Sequence, residues 1–203
     1  MAATTHRHGT HHRHSPAPAR PHAGAPLAVT VAVAVGPGAG HDGVDGDDGV
    51  DEQDAAYLLA EQRAWLAGAV GMPVTRLQPE AEGEYAGPLD YYRPPDGALL
   101  LARAGGRPVG LVGLHRIAGA CAELKRMFVL PSARGSGAGR ALLHAALATA
   151  AELGFGRLVL ETMPGEMDTA IALYRGLGFT DVDRFSIDLP GAIALGLDLP
   201  LAT

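Results

Sequence analysis

Apolar residues change their spacing along this chain, and the changes separate strands from helices. Leu27 to Val35 is a continuous apolar run closed by Gly-Pro-Gly. It is too short to cross a bilayer and rich in β-branched residues, so it reads as a buried first strand. A leader peptide fits less well, because the Arg/His segment before the run is unusually long. Asp54 is placed to cap a helix running to about Ala69, with Tyr57, Leu58, Trp65, Leu66 and Ala69 on or near one face. Ala98–Arg103 and Pro108–Leu114 flank a glycine turn at Gly105-Gly106 and predict a hairpin. A second turn around Gly119 leads into a strand over Cys121–Leu130. Pro131 ends that strand, having no N–H for a ladder. Leu142, Leu143, Ala146, Leu147, Ala150 and Leu153 then recur at helical spacing, and Gly154 stands where a left-handed cap belongs. Arg157–Glu161 is the next strand. Asp168 is read as the cap of a helix that carries Tyr174 and stops at Gly178. Phe179 opens another strand, and Ile193–Leu199 closes the sheet. Antiparallel strands followed by a strand–helix–strand unit exclude a purely parallel sheet.

Composition narrows the class. A chain of 203 residues with 47% hydrophobic and 19% charged residues suits one soluble globular domain with its own core. The net charge of -6 argues against a general nucleic-acid binder, and no stretch reads as a membrane anchor. The single cysteine, Cys121, rules out an internal disulfide and suits the cytoplasm. Residues 1–26 carry His6, His8, His11, His12, His14 and His22 among Arg, Pro and Ala. Nothing there sets a coordination number, so a disordered tail is expected and no metal site. His41–Asp54 is an acidic, glycine-rich stretch that fails the EF-hand spacing and reads as a solvated loop.

The candidate chemistry lies after Pro131. Gly135, Gly137 and Gly139 fall at every second position between a strand and a helix. Such a loop turns backbone N–H groups toward one point at a helix N-terminus and suits phosphate. It lacks the Gly-Lys-Ser/Thr ending of a triphosphate loop. A dinucleotide loop is the nearer rival, since Glu161 follows about 20 residues on, where a ribose-binding acid belongs. Arg140 then stands where that motif needs a small residue for close helix–strand packing.

Val129-x-Pro131-x-x-Arg134-Gly135-x-Gly137-x-Gly139 resembles motif A of the GNAT superfamily of N-acetyltransferases. Ala170-Ile-Ala-Leu173-Tyr174-Arg-Gly-Leu-Gly178-Phe179 resembles the family's A-x-x-L-Y-x-x-x-G-F segment. The resemblance covers residues 85–189 well and 27–84 loosely. It implies an α/β (α+β) domain over 27–203: a mixed, mostly antiparallel twisted sheet of six to seven strands with helices on both faces. It implies acetyl-CoA as co-substrate, its pantetheine arm lying where the strand at 121–130 splays from the strand at 157–161. Phe128 and Val129 would align the thioester, with an oxyanion donor near Val129. Arg134, Gly135, Ser136, Gly137, Ala138, Gly139 and Arg140 would surround the diphosphate.

The reaction so implied is acetyl transfer to a primary amine, which must be neutral to attack. Tyr174 matches the family tyrosine that protonates the departing thiolate. Glu123 resembles the strand glutamate used as base, or is a structural acid paired with Lys125 or Arg126. His115 is the reserve base, and Glu161 and Glu166 are weaker candidates. Tyr91 and Tyr92 are either acceptor walls or packing aromatics. Many members carry Asn shortly after the strand at 157–161, where this chain has Met167. A small-molecule or peptide amine is the expected partner, and a homodimer stays open. Two rivals remain: a non-catalytic acyl-CoA sensor on the same fold, and a dinucleotide oxidoreductase.

Overall fold

The computed structural model describes residues 28–34, 48–70, 89–185 and 190–200. The histidine-rich tail expected over 1–26 lies outside them. Among the described residues, seven strands form one sheet: β1 (Val29–Val33), β2 (Gly97–Ala104), β3 (Arg107–Ala118), β4 (Cys121–Val129), β5 (Arg157–Thr162), β6 (Thr180–Val182) and β7 (Ile193–Asp198). Their spatial order is β1-β2-β3-β4-β5-β7-β6. Every neighbouring pair is antiparallel except β4–β5. This is the mixed, mostly antiparallel architecture expected. One parallel pair does not make the doubly wound sheet of a dinucleotide site.

Strand alternation divides the core into two clusters, one on each face of the sheet. On one face α1 (Asp48–Val70) packs Ala55, Leu58 and Leu59 against Leu99, Leu101, Leu111 and Phe128. On the other, α2 (Ala138–Glu152) and α3 (Asp168–Gly176) cover Leu100, Val112, Leu114, Leu124, Leu158 and Leu160. The buried stripe of α1 continues through Gln62 and Leu66, while Tyr57, expected on or near that face, is 46% exposed.

Three sequence expectations change here. The helix expected from Asp54 starts at Asp48, so the later part of the acidic stretch is helix rather than solvated loop. Acids at a helix N-terminus are favoured by its dipole. These also fasten α1 to the sheet: Arg103 Nη2 on β2 donates to Asp51 Oδ1 and Asp54 Oδ2, both at 2.6 Å, and Arg93 Nη2 reaches Glu52 at 3.1 Å. Among the described residues, the apolar run forming β1 is an edge strand paired only with β2, and most of it is half-buried or exposed rather than core. The strand at 193–198 does not close the sheet. It inserts between β5 and β6, leaving β6 at the edge.

Both helices on the α2/α3 face end alike. Gly154 and Gly178 are left-handed, with φ of 75° and 97°. Their N–H groups bond Ala151 O and Arg175 O, and the following Phe155 and Phe179 N–H groups bond Ala150 O and Tyr174 O. This is the Schellman termination, in which glycine avoids a Cβ penalty and an apolar residue folds back on the last turn. In α3 that contact joins Tyr174 to Phe179, ring centroids 5.8 Å apart. The spacing Y-x-x-x-G-F is therefore a helix terminator that fixes Tyr174 in place.

Candidate active site

β4 and β5 pair at only three positions: Cys121 with Arg157, Ala122 with Leu158 and Glu123 with Val159. Beyond Glu123 the two strands share no register, and a V opens between 124–129 and 160–162. A β-bulge in β4 accompanies the divergence. Lys125 faces Gly113 and Phe128 faces Leu111, so β4 holds one residue more than β3 over this span. Arg126 takes the left-handed conformation there, with φ of 58°. A bulge bends and over-twists its strand, which carries the end of β4 away from β5. It also reverses side-chain parity. Ala122 and Leu124 face the α2 cluster, so Glu123 and Lys125 point toward α1. After the bulge Phe128 faces α1, and Met127 and Val129 join the α2 cluster. Leu130 N–H donates to Val109 O at 2.9 Å. By antiparallel alternation the N–H and C=O of Val129 then point away from β3, into the V.

The glycine loop sits at the mouth of this V. Gly135 and Gly137 have φ of 80° and 90°, and a Cβ on either would meet nothing within 4 Å. Gly137 is the N-cap of α2, so Ala138, Gly139 and Arg140 are its first helical residues rather than loop. Ala138 N–H is satisfied by Ser136 Oγ at 3.3 Å. The amides of Gly139 and Arg140 have no acceptor within the helix. A Cβ on Gly139 would stand 3.4 Å from both Met127 Cε and Leu173 Cδ1, so the start of α2 rests on the end of β4 and on α3. An open, left-handed glycine loop leading into a helix N-terminus fits a diphosphate. Arg134 reaches the same mouth: its Nε donates to Val129 O at 3.4 Å and its guanidinium lies 5.0 Å from the Trp65 ring centre.

The candidate proton-transfer groups fall on opposite faces of the sheet. Glu123 is 8% exposed and faces α1, with Lys125 Nζ 3.3 Å from its Oε2. His115 is its cross-strand neighbour on β3. The His115 ring stacks on Tyr91 with centroids 3.6 Å apart, and its Nδ1 lies 2.7 Å from Tyr91 O. Lys125 Nζ is 5.6 Å from the Tyr91 ring centre. Glu123, His115, Lys125 and Tyr91 thus meet where the V begins. Tyr92 is instead a core aromatic, 1% exposed, lodged in the space that Gly113 leaves by lacking a Cβ.

Tyr174 is 4% exposed within the α2/α3 cluster, and burial pushes its phenol above the ordinary value of 10.0. Glu161 accepts from Phe185 N–H at 3.2 Å, with Arg184 Nε 3.8 Å away, whereas Glu166 is exposed. Asp168 does not cap α3. It is the first helical residue, and its Oδ1 accepts from Gly165 N–H at 2.8 Å. Met167, at the family's Asn position, holds the N-cap and accepts from Thr162 Oγ1 at 3.3 Å. The bulge at Arg126, the Tyr91–His115 stack and the Trp65–Arg134 contact were not read from the sequence. All three depend on pairings distant along the chain.

An uncharacterised N-acetyltransferase of Schizosaccharomyces pombe is 31% identical over 121 residues, covering 58% of this chain and 74% of that protein. An IAA acetyltransferase of Azospirillum brasilense is 38% identical over 122 residues, covering 60% and 79%. The crystal structure of a GNAT-family acetyltransferase from Staphylococcus aureus superposes with a TM-score of 0.61 at 20% identity, covering 85% of this chain and 100% of that one, which shows a shared fold. The model of the acetyltransferase (GNAT) family matches residues 61–179, more than half the sequence. The chain belongs to the GNAT family of acetyltransferases and is an acyltransferase enzyme.

Proposed function

We propose that this acyltransferase moves an acetyl group from acetyl-CoA directly to a primary amine of a small molecule or peptide. The observation that carries the reading is the divergence of β4 from β5 at the mouth where the left-handed glycine loop opens. The loop amides and Arg134 would hold the diphosphate. The edge of β4 that β5 leaves unpaired beyond Glu123 would pair with the pantetheine arm like an added strand, and Phe128 would wall the thioester. The Val129 N–H, aimed into the gap, would donate to the oxyanion formed when the amine attacks. Tyr174 would pass its phenol proton to the departing thiolate; burial holds that phenol above its ordinary value, so the transfer is uphill and relies on position.

Tyr174, the proposed acid, belongs to the α2/α3 cluster, and Glu123, the proposed base, points toward α1. Glu123 would take the ammonium proton, directly or through water. A second reading gives the base to His115. When its Nδ1–H donates to Tyr91 O, the imidazole leaves Nε2 as the acceptor. Direct transfer is favoured over an acyl-enzyme because Cys121, the only cysteine, sits at the paired end of β4, where burial pushes its thiol up. The net charge of -6 favours a cationic acceptor.

The test is CoA-thiol release from acetyl-CoA with a panel of amino acids, polyamines and peptides. Thiol release with intersecting initial-velocity lines is expected. Parallel lines would reject direct transfer. Binding of acetyl-CoA without turnover on any amine would favour the sensor reading.

A further inference from the structure

We infer that Trp65 is a positioning residue for the diphosphate of the cofactor, acting through Arg134. The inference rests on the acetyl-CoA reading above. Arg134 projects from an exposed loop, and a free arginine there would sample many rotamers. It is instead held at two points. Its guanidinium packs on the Trp65 ring at 5.0 Å, and its Nε donates to Val129 O at 3.4 Å. Trp65 is itself seated against Phe128, ring centroids 6.1 Å apart and planes at 44°.

Phe128 and Val129 are neighbours at the end of β4. The contacts therefore close a ring, from β4 through α1 and the phosphate loop back to β4. That ring fixes the guanidinium over the end of β4, where the V opens. Arg134 makes no ion pair with a described carboxylate, so its charge is uncommitted. A planar cation against an aromatic face keeps its N–H edge available to an anion. Holding it there before binding removes an ordering cost that the cofactor would otherwise meet.

The test is calorimetric titration with CoA of four proteins: wild type, Trp65→Leu, Arg134→Ala and the double variant. Trp65→Leu is expected to weaken CoA about 2- to 5-fold, the range for an exposed cation–π pair. The same change in the Arg134→Ala background is expected to do nothing, because the Trp65 effect runs through Arg134. Trp65→Phe should retain most of the affinity, and Trp65→Leu should raise KM for acetyl-CoA with kcat unchanged. Equal weakening in both backgrounds would mean that Trp65 acts only by packing, and unchanged or tighter binding by Trp65→Leu would overturn the inference. A wild-type protein that binds no CoA would overturn the cofactor reading itself, a result distinct from both.

Discussion

Glu123 is the last residue of β4 to pair with β5, opposite Val159, and the same residue lies across from His115 on β3. The carboxylate and the imidazole therefore share one face at the point where the strands part. Glu123→Gln is expected to lower kcat/KM by about 100-fold or more, the scale of a lost general base, while leaving the Kd for CoA unchanged. The acid limb of the pH–rate profile should flatten with it. If His115→Gln gives the larger loss and the flatter profile, the base is the histidine.

Tyr174→Phe keeps the packing of α3 and removes only the phenol hydroxyl. Its kcat is expected to fall on the order of 100-fold with KM for acetyl-CoA little changed. Stability supplies an independent check. Burial raises the folded-state pKa of Tyr174 above its ordinary value of 10.0. The folded protein then keeps a proton that the unfolded chain releases, so this residue's contribution is intact below pH 10.0 and is lost as pH rises further. Denaturant titrations from pH 9 to 11 should show the wild type losing stability more steeply than Tyr174→Phe.

The bulge can be tested at Arg126, whose φ of 58° is costly for any residue with a Cβ and costliest for a β-branched one. Arg126→Gly should be more stable than Arg126→Val by about 1–2 kcal/mol in chemical denaturation. Equal stabilities would show that β4 runs straight through this position, and the parity reversal that separates Glu123 from Val129 would go with it.

Gly113 faces the Tyr92 ring so closely that an added methyl would overlap it. Gly113→Ala is expected to cost about 1–3 kcal/mol by overpacking. Because Tyr91 packs edge-on to Tyr92, ring centroids 5.1 Å apart, the same change should disturb the His115 stack and raise KM for the acceptor more than KM for acetyl-CoA.

The legible parts were those written in consecutive residues. The hairpin at Gly105-Gly106, the glycine loop, the Y-x-x-x-G-F terminator and the strand–helix–strand order all follow from local spacing, and each stands where expected. What the sequence hid depends on partners distant in the chain. Nothing local marks Arg126 as left-handed, because a bulge is a mismatch between two strands. The early start of α1 relies on Arg103 and Arg93, remote cations that make an acidic run worth ordering. The apolar run of β1 looked buried because apolar spacing reports preference for a strand, not its place in the sheet order. For the proposed site, the family resemblance names the loop residues and Tyr174, whereas the Tyr91–His115 stack and the seat of Arg134 on Trp65 needed the folded chain.

The glycine loop over the β4–β5 divergence is proposed to bind acetyl-CoA. The most direct measurement is calorimetric titration of wild type and Gly137→Trp with acetyl-CoA, with NADH as control. Gly137 has φ of 90° and a Cβ there would meet nothing within 4 Å, so tryptophan at this position strains the loop and adds bulk at its open side. Acetyl-CoA is expected to bind the wild type with one site per chain, the variant to lose that binding while keeping a cooperative thermal transition, and NADH to bind neither. Binding of NADH but not acetyl-CoA, or undiminished acetyl-CoA binding by Gly137→Trp, would contradict the proposal.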